Sequence, residues 1–325
     1  LRRFRLRNVT GTMRTELNLY RTFLTFSVAL LVCCKGAPEP STPSEPAKEQ
    51  TDPGVTLTPL PEKALRLSVT PIAAKTVLER EFEPLARYLS SALEVPVTLE
   101  IPESYSDATD RVVRGEVDVA FLSPLAYVLS AKRSTGLTVI ATPIAQGAPT
   151  YASYILVRED APMTELEQLK GKSIAFVDRR STSGFLYPYA YLLDRGIEPD
   201  SYFGSVSFLG DHGSVVEALR SGRVDAGATF AAAAGFVEGA AKTDLRILAK
   251  TGRIPYDAVV VVESVSDAAK TRLREAFLAL STRTESGRQI LRSSSGINGF
   301  LAADDSHYDE IRRVLERVGP RVAIP

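Results

Sequence analysis

The residues of this chain best suited to chemistry stand together at 181–184, in the order Ser181-Thr182-Ser183-Gly184. They follow Lys172-Ser-Ile-Ala-Phe-Val177, which reads as a buried strand. They precede Phe185-Leu-Tyr-Pro188-Tyr-Ala-Tyr-Leu-Leu-Asp-Arg195, which reads as a helix stopped by Gly196. Pro188 falls in or near the first helical turn, where a missing N–H costs little. Such a strand-to-helix turn gathers free amides, the positive end of a helix and three hydroxyls, a combination that receives oxyanions. Simple N-capping would need one Ser or Thr. Three in a row, with a Gly that lets a ligand approach, favour anion binding. Catalytic alternatives are poorly supplied. The only histidines are His212 and His307, and both cysteines, Cys33 and Cys34, lie far upstream, so zinc sites and thiol catalysis have few candidates. No Gly-x-Ser-x-Gly elbow is present. Gly171-Lys-Ser173 imitates the end of a phosphate-binding P-loop, but Leu166 stands where the earlier glycine is required and the tripeptide enters a strand. No enzyme activity, cofactor or metal is expected.

The elements that must position this turn alternate between strand and helix. Leu65–Val69 alternates as a strand, 76–93 carries apolar residues at helical spacing, and Val95-Pro-Val-Thr-Leu-Glu-Ile101 reads as a second strand. A helix over 105–114, a stop at Gly115 and the strand Val117–Phe121 follow. This order points to parallel strands joined by helical crossovers. The segment Arg114-Gly-Glu-Val-Asp118-Val-Ala120 is echoed 107 residues later by Ser221-Gly-Arg-Val-Asp225-Ala-Gly227. That echo suggests two similar α/β lobes, although helix–Gly–strand is common in any α/β chain. Two strand-like stretches, 151–157 and 257–263, are placed to connect the lobes, and helices over 267–280, 285–292 and 305–318 to complete the first. Two crossings make a hinge, and a hinge leaves a cleft where a small ligand can bind. The expected layout is lobe 1 over 63–156 and 258–325, and lobe 2 over 157–257.

Composition and the first residues point to a folded, exported body. The 325 residues hold 39 basic and 39 acidic groups, and 44% are hydrophobic, enough for buried cores and unlike a disordered or polytopic membrane chain. Nothing in this balance suits nucleic acid. Residues 1–34 carry six basic groups and one acidic group, leaving 33 and 38 in the remainder. A positive start with an apolar run of about eleven residues to Val32, too short to span a bilayer, is the pattern of a secretory leader. Met13 offers an alternative start. Leu31-Val32-Cys33-Cys34 resembles a bacterial lipobox, with Cys34 (or Cys33) as the lipid anchor. An ordinary cleaved leader is the alternative. Residues 35–62 hold seven prolines among Ser, Thr and Glu and read as an extended linker.

In order and spacing the body resembles the phosphate/phosphite/phosphonate-binding proteins of ABC importers, within the type II periplasmic binding protein fold. The resemblance runs from about 65 to 300. It is carried by Phe82-Glu-Pro-Leu-Ala-Arg-Tyr-Leu, by Gly115-Glu-Val-Asp-Val-Ala-Phe-Leu-Ser-Pro124-Leu-Ala-Tyr127 and by Leu169-Lys-Gly-Lys-Ser-Ile-Ala-Phe-Val-Asp178 with Ser181–Gly184. Gly210-Asp-His212 before Gly222-Arg-Val-Asp225, and Ile254-Pro-Tyr-Asp257, complete it. The resemblance implies a two-lobed α/β fold, each lobe a mainly parallel sheet flanked by helices, with a two-segment hinge. It implies that Ser181, Thr182 and Ser183 bond the oxygens of a phosphorus oxyanion and that Tyr105, Tyr151, His212 and Asp257 surround it. Ser123 and Tyr127 line the equivalent loop of the first lobe. Asp257 beside an anion suggests selection of a species bearing P–OH. Members that take aminoethylphosphonate have an acidic residue in the loop after the Val-Asp strand. Here that loop is Ala228-Thr-Phe-Ala-Ala-Ala-Ala-Gly235, which suits phosphite, a small alkylphosphonate or phosphate. The implied partners are ABC permease subunits, for a monomer that is periplasmic and lipid-anchored. The alternative is the same module reporting ligand to a membrane histidine kinase.

Overall fold

The computed structural model describes residues 63–234, 244–291 and 296–319. The expected leader, lipid anchor and linker lie outside them. Chain order begins with β1 (Leu65–Val69), α1 (Lys75–Leu93), β2 (Val97–Glu100), α2 (Tyr105–Val113), β3 (Val119–Leu122), α3 (Pro124–Arg133) and β4 (Thr138–Ala145). The chain then crosses to β5 (Thr150–Arg158), β6 (Ser173–Phe176), α4 (Tyr187–Leu193), α5 (Pro199–Tyr202), β7 (Ser205–Phe208), α6 (His212–Arg220), β8 (Ala226–Phe230) and β9 (Leu245–Pro255). It returns through β10 (Ala258–Val261), α7 (Asp267–Ala279), α8 (Glu285–Ile290), β11 (Ile297–Leu301) and α9 (Asp309–Val318).

Two sheets result, in the orders β11-β4-β10-β3-β1-β2 and β7-β6-β8-β5-β9. In each, three neighbouring strands are parallel (β2-β1-β3 and β7-β6-β8), and the strand entering directly after a crossing, β10 or β5, runs against its neighbours. The reversal follows from the route, because a strand arriving from the other lobe enters from the opposite end. The first crossing differs from the expected one. β5 pairs throughout with β8 and β9, so it belongs wholly to the second sheet and the chain changes lobes at 146–149. A boundary after 156 would cut a continuous strand. The run 151–157 is strand-like, but periodicity alone does not say which sheet it joins. The turn itself is marked by Gln146 at φ 51° and Gly147 at φ 73°. The return crossing is short, since β9 ends at Pro255 and β10 begins at Ala258.

The 107-residue echo is a structural repeat. Asp118 accepts the amide of Arg66 at 2.8 Å, and Asp225 accepts that of Ser173 at 2.9 Å, across 52 residues in both lobes. Each carboxylate thus pins the start of the neighbouring parallel strand. Gly115 and Gly222 close the preceding helices at φ 67° and 70°. The correspondence extends to the helix starts. Ser104 caps α2 by accepting the amide of Asp107, and Asp211 caps α6 by accepting that of Ser214. Tyr105 and His212, each the first residue of its helix, are therefore equivalent positions in the two lobes.

The helices after the return cover lobe 1, with α7 packed on α1, β4 and β11. The last one does more than expected. α9 turns Ile311, Val314, Leu315 and Val318 inward and packs on α3 of the first lobe and on α4 of the second, where Arg317 also meets Asp194 at 3.4 Å.

Candidate functional site: a closed cleft around a hydroxyl turn

The turn after β6 is shaped by proline chemistry. Pro188 has no N–H, so the carbonyl four residues before it, that of Gly184, lacks a helical donor. The amide of Val177 takes its place at 3.1 Å, and the chain from Thr182 to Leu186 forms a π-helical turn before α4 begins. This differs from the expected α-helical start, and single π turns of this kind recur at functional sites. Gly184 is required here for space. A Cβ would collide with Val177 and lie 2.8 Å from Ser181 Oγ.

The three hydroxyls are not equivalent. Ser181 Oγ caps the turn by accepting the amide of Gly184 at 3.0 Å. Thr182 Oγ1 accepts the amide of Leu125, in the first turn of α3 of the opposite lobe, at 2.8 Å. Ser183 Oγ neighbours the Tyr151 hydroxyl, and its carbonyl accepts from Ser153 Oγ at 2.5 Å. Ser181 and Thr182 accept an N–H, which leaves each O–H hydrogen available to an anion. All three residues are buried.

The lobes are closed on this turn. Besides the Thr182–Leu125 bond, Ser123 Oγ donates to the Arg180 carbonyl at 3.3 Å, and the amide of His212 donates to the Ile72 carbonyl at 3.2 Å. Between the lobes lies a cleft of about 560 Å³. Ser181, Thr182, Ser183, Tyr105, Tyr151, His212, Asp257 and Ser123 all line it. Tyr127 does not. Its ring packs on Tyr308 at 4.9 Å and its hydroxyl donates to Asp305 at 2.6 Å. The helical turn between Ser123 and Tyr127 carries the tyrosine into the core of the first lobe, away from the cleft.

The titratable walls favour neutral donors. Burial raises the Tyr105 and Tyr151 hydroxyls far above their ordinary range, so both remain protonated. The Tyr105 hydroxyl is buried without a hydrogen-bond partner among the described residues and lies beside Ser181. Buried polar groups are normally satisfied, so an orphan donor at this spot suits an acceptor brought by a ligand. His212 is 3% exposed, and burial lowers its pKa to about 3. The ring is thus neutral, with Nδ1 2.8 Å from Thr229 Oγ1. If Thr229 donates to Nδ1, Nε2–H faces outward as a donor. Asp257 keeps some exposure to the cleft, yet desolvation by the surrounding protein raises its pKa to about 6.

His212 gives a measurable signature. Its folded pKa lies below the ordinary 6.5, so the unfolded chain binds the extra proton, and the stability that comes from keeping the ring neutral is lost as pH falls below about 6.5. Because the Asp257 carboxyl shifts stability the other way over the same range, the test is a difference: relative to wild type, the thermal midpoint of ligand-free His212→Gln should gain as pH falls from 6.5 to 4. Equal slopes in the two proteins would remove this account of the imidazole.

Several cleft residues carry no sequence signal. Tyr256 stacks on Tyr151 with ring centroids 4.9 Å apart and planes 22° apart. Phe230 meets His212 edge-on at 4.7 Å. The strand β9 contributes Lys250, Thr251 and Arg253, and α1 contributes Glu81. Adjacency to Asp257 could have pointed to Tyr256. Nothing in the periodicity of β9 marks the other three. The alanine-rich loop after β8 does supply Ala231 and Ala232 to the wall, with Gly235 outside the described residues.

Residues 67–308 match the periplasmic substrate-binding proteins of ABC transporters for phosphonate. The chain belongs to that family. Among its relatives, the phosphate-import protein PhnD of Mycolicibacterium smegmatis is 32% identical over 177 residues, covering 52% of this chain and 55% of that protein. The chain thus spans about half the length of that relative. The phosphonates-binding periplasmic protein of Escherichia coli is 25% identical over 260 residues, covering 78% of this chain and 76% of that protein. PhnD1 of Prochlorococcus marinus, solved in complex with methylphosphonate, superposes with a TM-score of 0.71 at 20% identity, covering 80% of this chain and 99% of that one. This likeness shows the two-lobed periplasmic binding protein fold.

Proposed function

We propose that the chain captures a phosphite-, phosphonate- or phosphate-type oxyanion in the cleft and presents the closed complex to an ABC importer. The observation that carries this reading is the Tyr105 hydroxyl, buried and unpaired beside a turn whose Ser181 and Thr182 hydroxyls still have hydrogens to give. Removing an anion from water demands replacement of its hydration by hydrogen bonds. Bonds to a charged acceptor contribute roughly 1.5–3 kcal/mol each. Donors from Ser181, Thr182, Ser183, Tyr105, Tyr151 and neutral His212 converge from both lobes, so the full set exists only when the lobes meet. Closure is then stabilised by contacts that the open form lacks.

Relatives named as phosphate-import and phosphonates-binding proteins support the ligand class. No observation favours the sensor reading, and the family's place in ABC transport favours delivery. Attachment through Cys34 or Cys33 remains part of the proposal, as does action as a monomer. Titration calorimetry of the purified body with methylphosphonate, phosphite and phosphate tests it. At least one of the three should bind with a Kd of about micromolar or tighter, roughly −8 kcal/mol. An absence of heat with all three would sink the reading.

A further inference from the structure

Resting on that oxyanion site, we propose that the cleft holds a second, basic subsite for an acid group on the ligand's tail. The substrate class is then a phosphorus acid that carries a further carboxylate or phosphate. The cleft of about 560 Å³ has the size of a pocket for a drug-sized ligand rather than a five-atom anion. Its lining changes character along its extent. The hydroxyl turn, Tyr105 and His212 are buried, whereas Lys250 and Arg253, which line the same cleft, are exposed. It therefore runs from a closed anion site toward an open, basic wall.

The backbone explains how β9 delivers this wall. Tyr154 of β5 pairs with Lys250 and Ala152 with Arg253, so Thr251 and Gly252 together face Ser153 alone. This irregularity breaks the two-residue alternation of a strand and re-aims its side chains. Lys250, Thr251 and Arg253 consequently all reach the cleft, where a regular strand would keep Thr251 and Arg253 on one face and turn Lys250 to the other. The bulge is tied to the anion site. The Ser153 amide donates to Thr251 Oγ1 at 3.2 Å, and Ser153 Oγ donates to the Ser183 carbonyl at 2.5 Å. Two hydrogen bonds thus separate the hydroxyl turn from the residue between the two cations.

Neither cation is held by a carboxylate within ion-pair distance among the described residues, and Lys250 Nζ lies 6.0 Å from the ring of Tyr154. The carboxylates lining the cleft are Asp257 and Glu81, the latter already partnered. An acid tail would give the two free cations their counter-charge, whereas an alkyl tail would leave them as they are.

The test compares 3-phosphonopropanoate with propylphosphonate, which match in chain length and differ in the terminal carboxylate, and uses methylphosphonate as the tail-less control. At low salt, calorimetry should show the carboxylate ligand binding about tenfold more tightly than propylphosphonate. In Lys250→Met/Arg253→Met that advantage should fall below about twofold while methylphosphonate affinity stays within about twofold of wild type. Equal affinities in the wild type, or an advantage that survives the double substitution, would overturn the subsite. Loss of methylphosphonate binding in the double variant would also overturn it, by showing that the basic pair serves the first anion. Failure of all three ligands with the wild type would instead bring down the oxyanion reading on which this one rests.

Discussion

Gly184→Ala should abolish capture of the phosphorus oxyanion while leaving the chain folded. The added methyl would collide with Val177, a buried residue of the strand exit that cannot yield, and would crowd Ser181 Oγ at 2.8 Å. The turn must then move off the strand, which breaks the Val177–Gly184 bond and the Ser181 cap together. Overpacking of this kind costs about 1–3 kcal/mol of stability. Affinity should suffer more, because displacing two donors to a charged acceptor at roughly 1.5–3 kcal/mol each weakens binding by at least about a hundredfold. Calorimetry with the best of the three anions, paired with thermal unfolding, measures both effects. Gly115→Ala is the control. There φ is 67° but nothing lies within 4 Å of the added carbon, so it should cost about 1 kcal/mol of stability and leave affinity alone. Normal binding by the Gly184→Ala protein would refute the turn as the anion receptor.

Asp257→Asn should flatten the dependence of affinity on pH. In the ligand-free protein the carboxyl titrates at about 6, and a free phosphate or alkylphosphonate loses its second proton somewhat above the roughly 6 of a phosphate ester. Two anions cannot share the cleft unless one proton lies between them. Once the pH is high enough that the free ligand has lost its second proton as well, the shared proton must come from solvent, so the wild-type Kd should rise toward about tenfold per pH unit. An amide donates its own N–H and needs no such proton. Stability carries the opposite test. The folded pKa is raised above the ordinary value of 3.8, so the ligand-free protein is favoured at low pH and loses up to about 3 kcal/mol as pH rises through 6. Asp257→Asn should therefore raise the thermal midpoint at pH 8 while weakening the pH response of binding. Parallel affinity profiles for the two proteins between pH 5 and 8 would exclude a shared proton.

Much of the site is legible in the sequence because the chemistry is local. The Ser181–Gly184 turn is read from four consecutive residues between a strand and a helix, and no distant contact is needed to recognise it. The 107-residue echo is visible at Asp118 and Asp225, but its further reach to Tyr105 and His212 is not, since tyrosine and histidine share no pattern until the two helix starts are superposed. Placement across sheets is the weak point. β5 has the same period whichever sheet it joins, so periodicity sets the first crossing seven or more residues late. Tyr127 is misplaced for a related reason. A helical offset of four residues from Ser123 says that the two share a face, but not whether that face continues past the helix end into the cleft or into the core. The bulge that brings Lys250 and Arg253 to the wall depends on pairing with β5 and leaves no mark in the sequence.

On the proposed reading the Thr182 hydroxyl is shared between two tasks, since the oxygen that accepts the Leu125 amide across the lobes belongs to the turn proposed to hold the anion. Grip and latch are therefore one part. A partner that pried the jaws apart at their outer surface would loosen the cargo without ever touching it, and unloading would begin with the first ångström of separation.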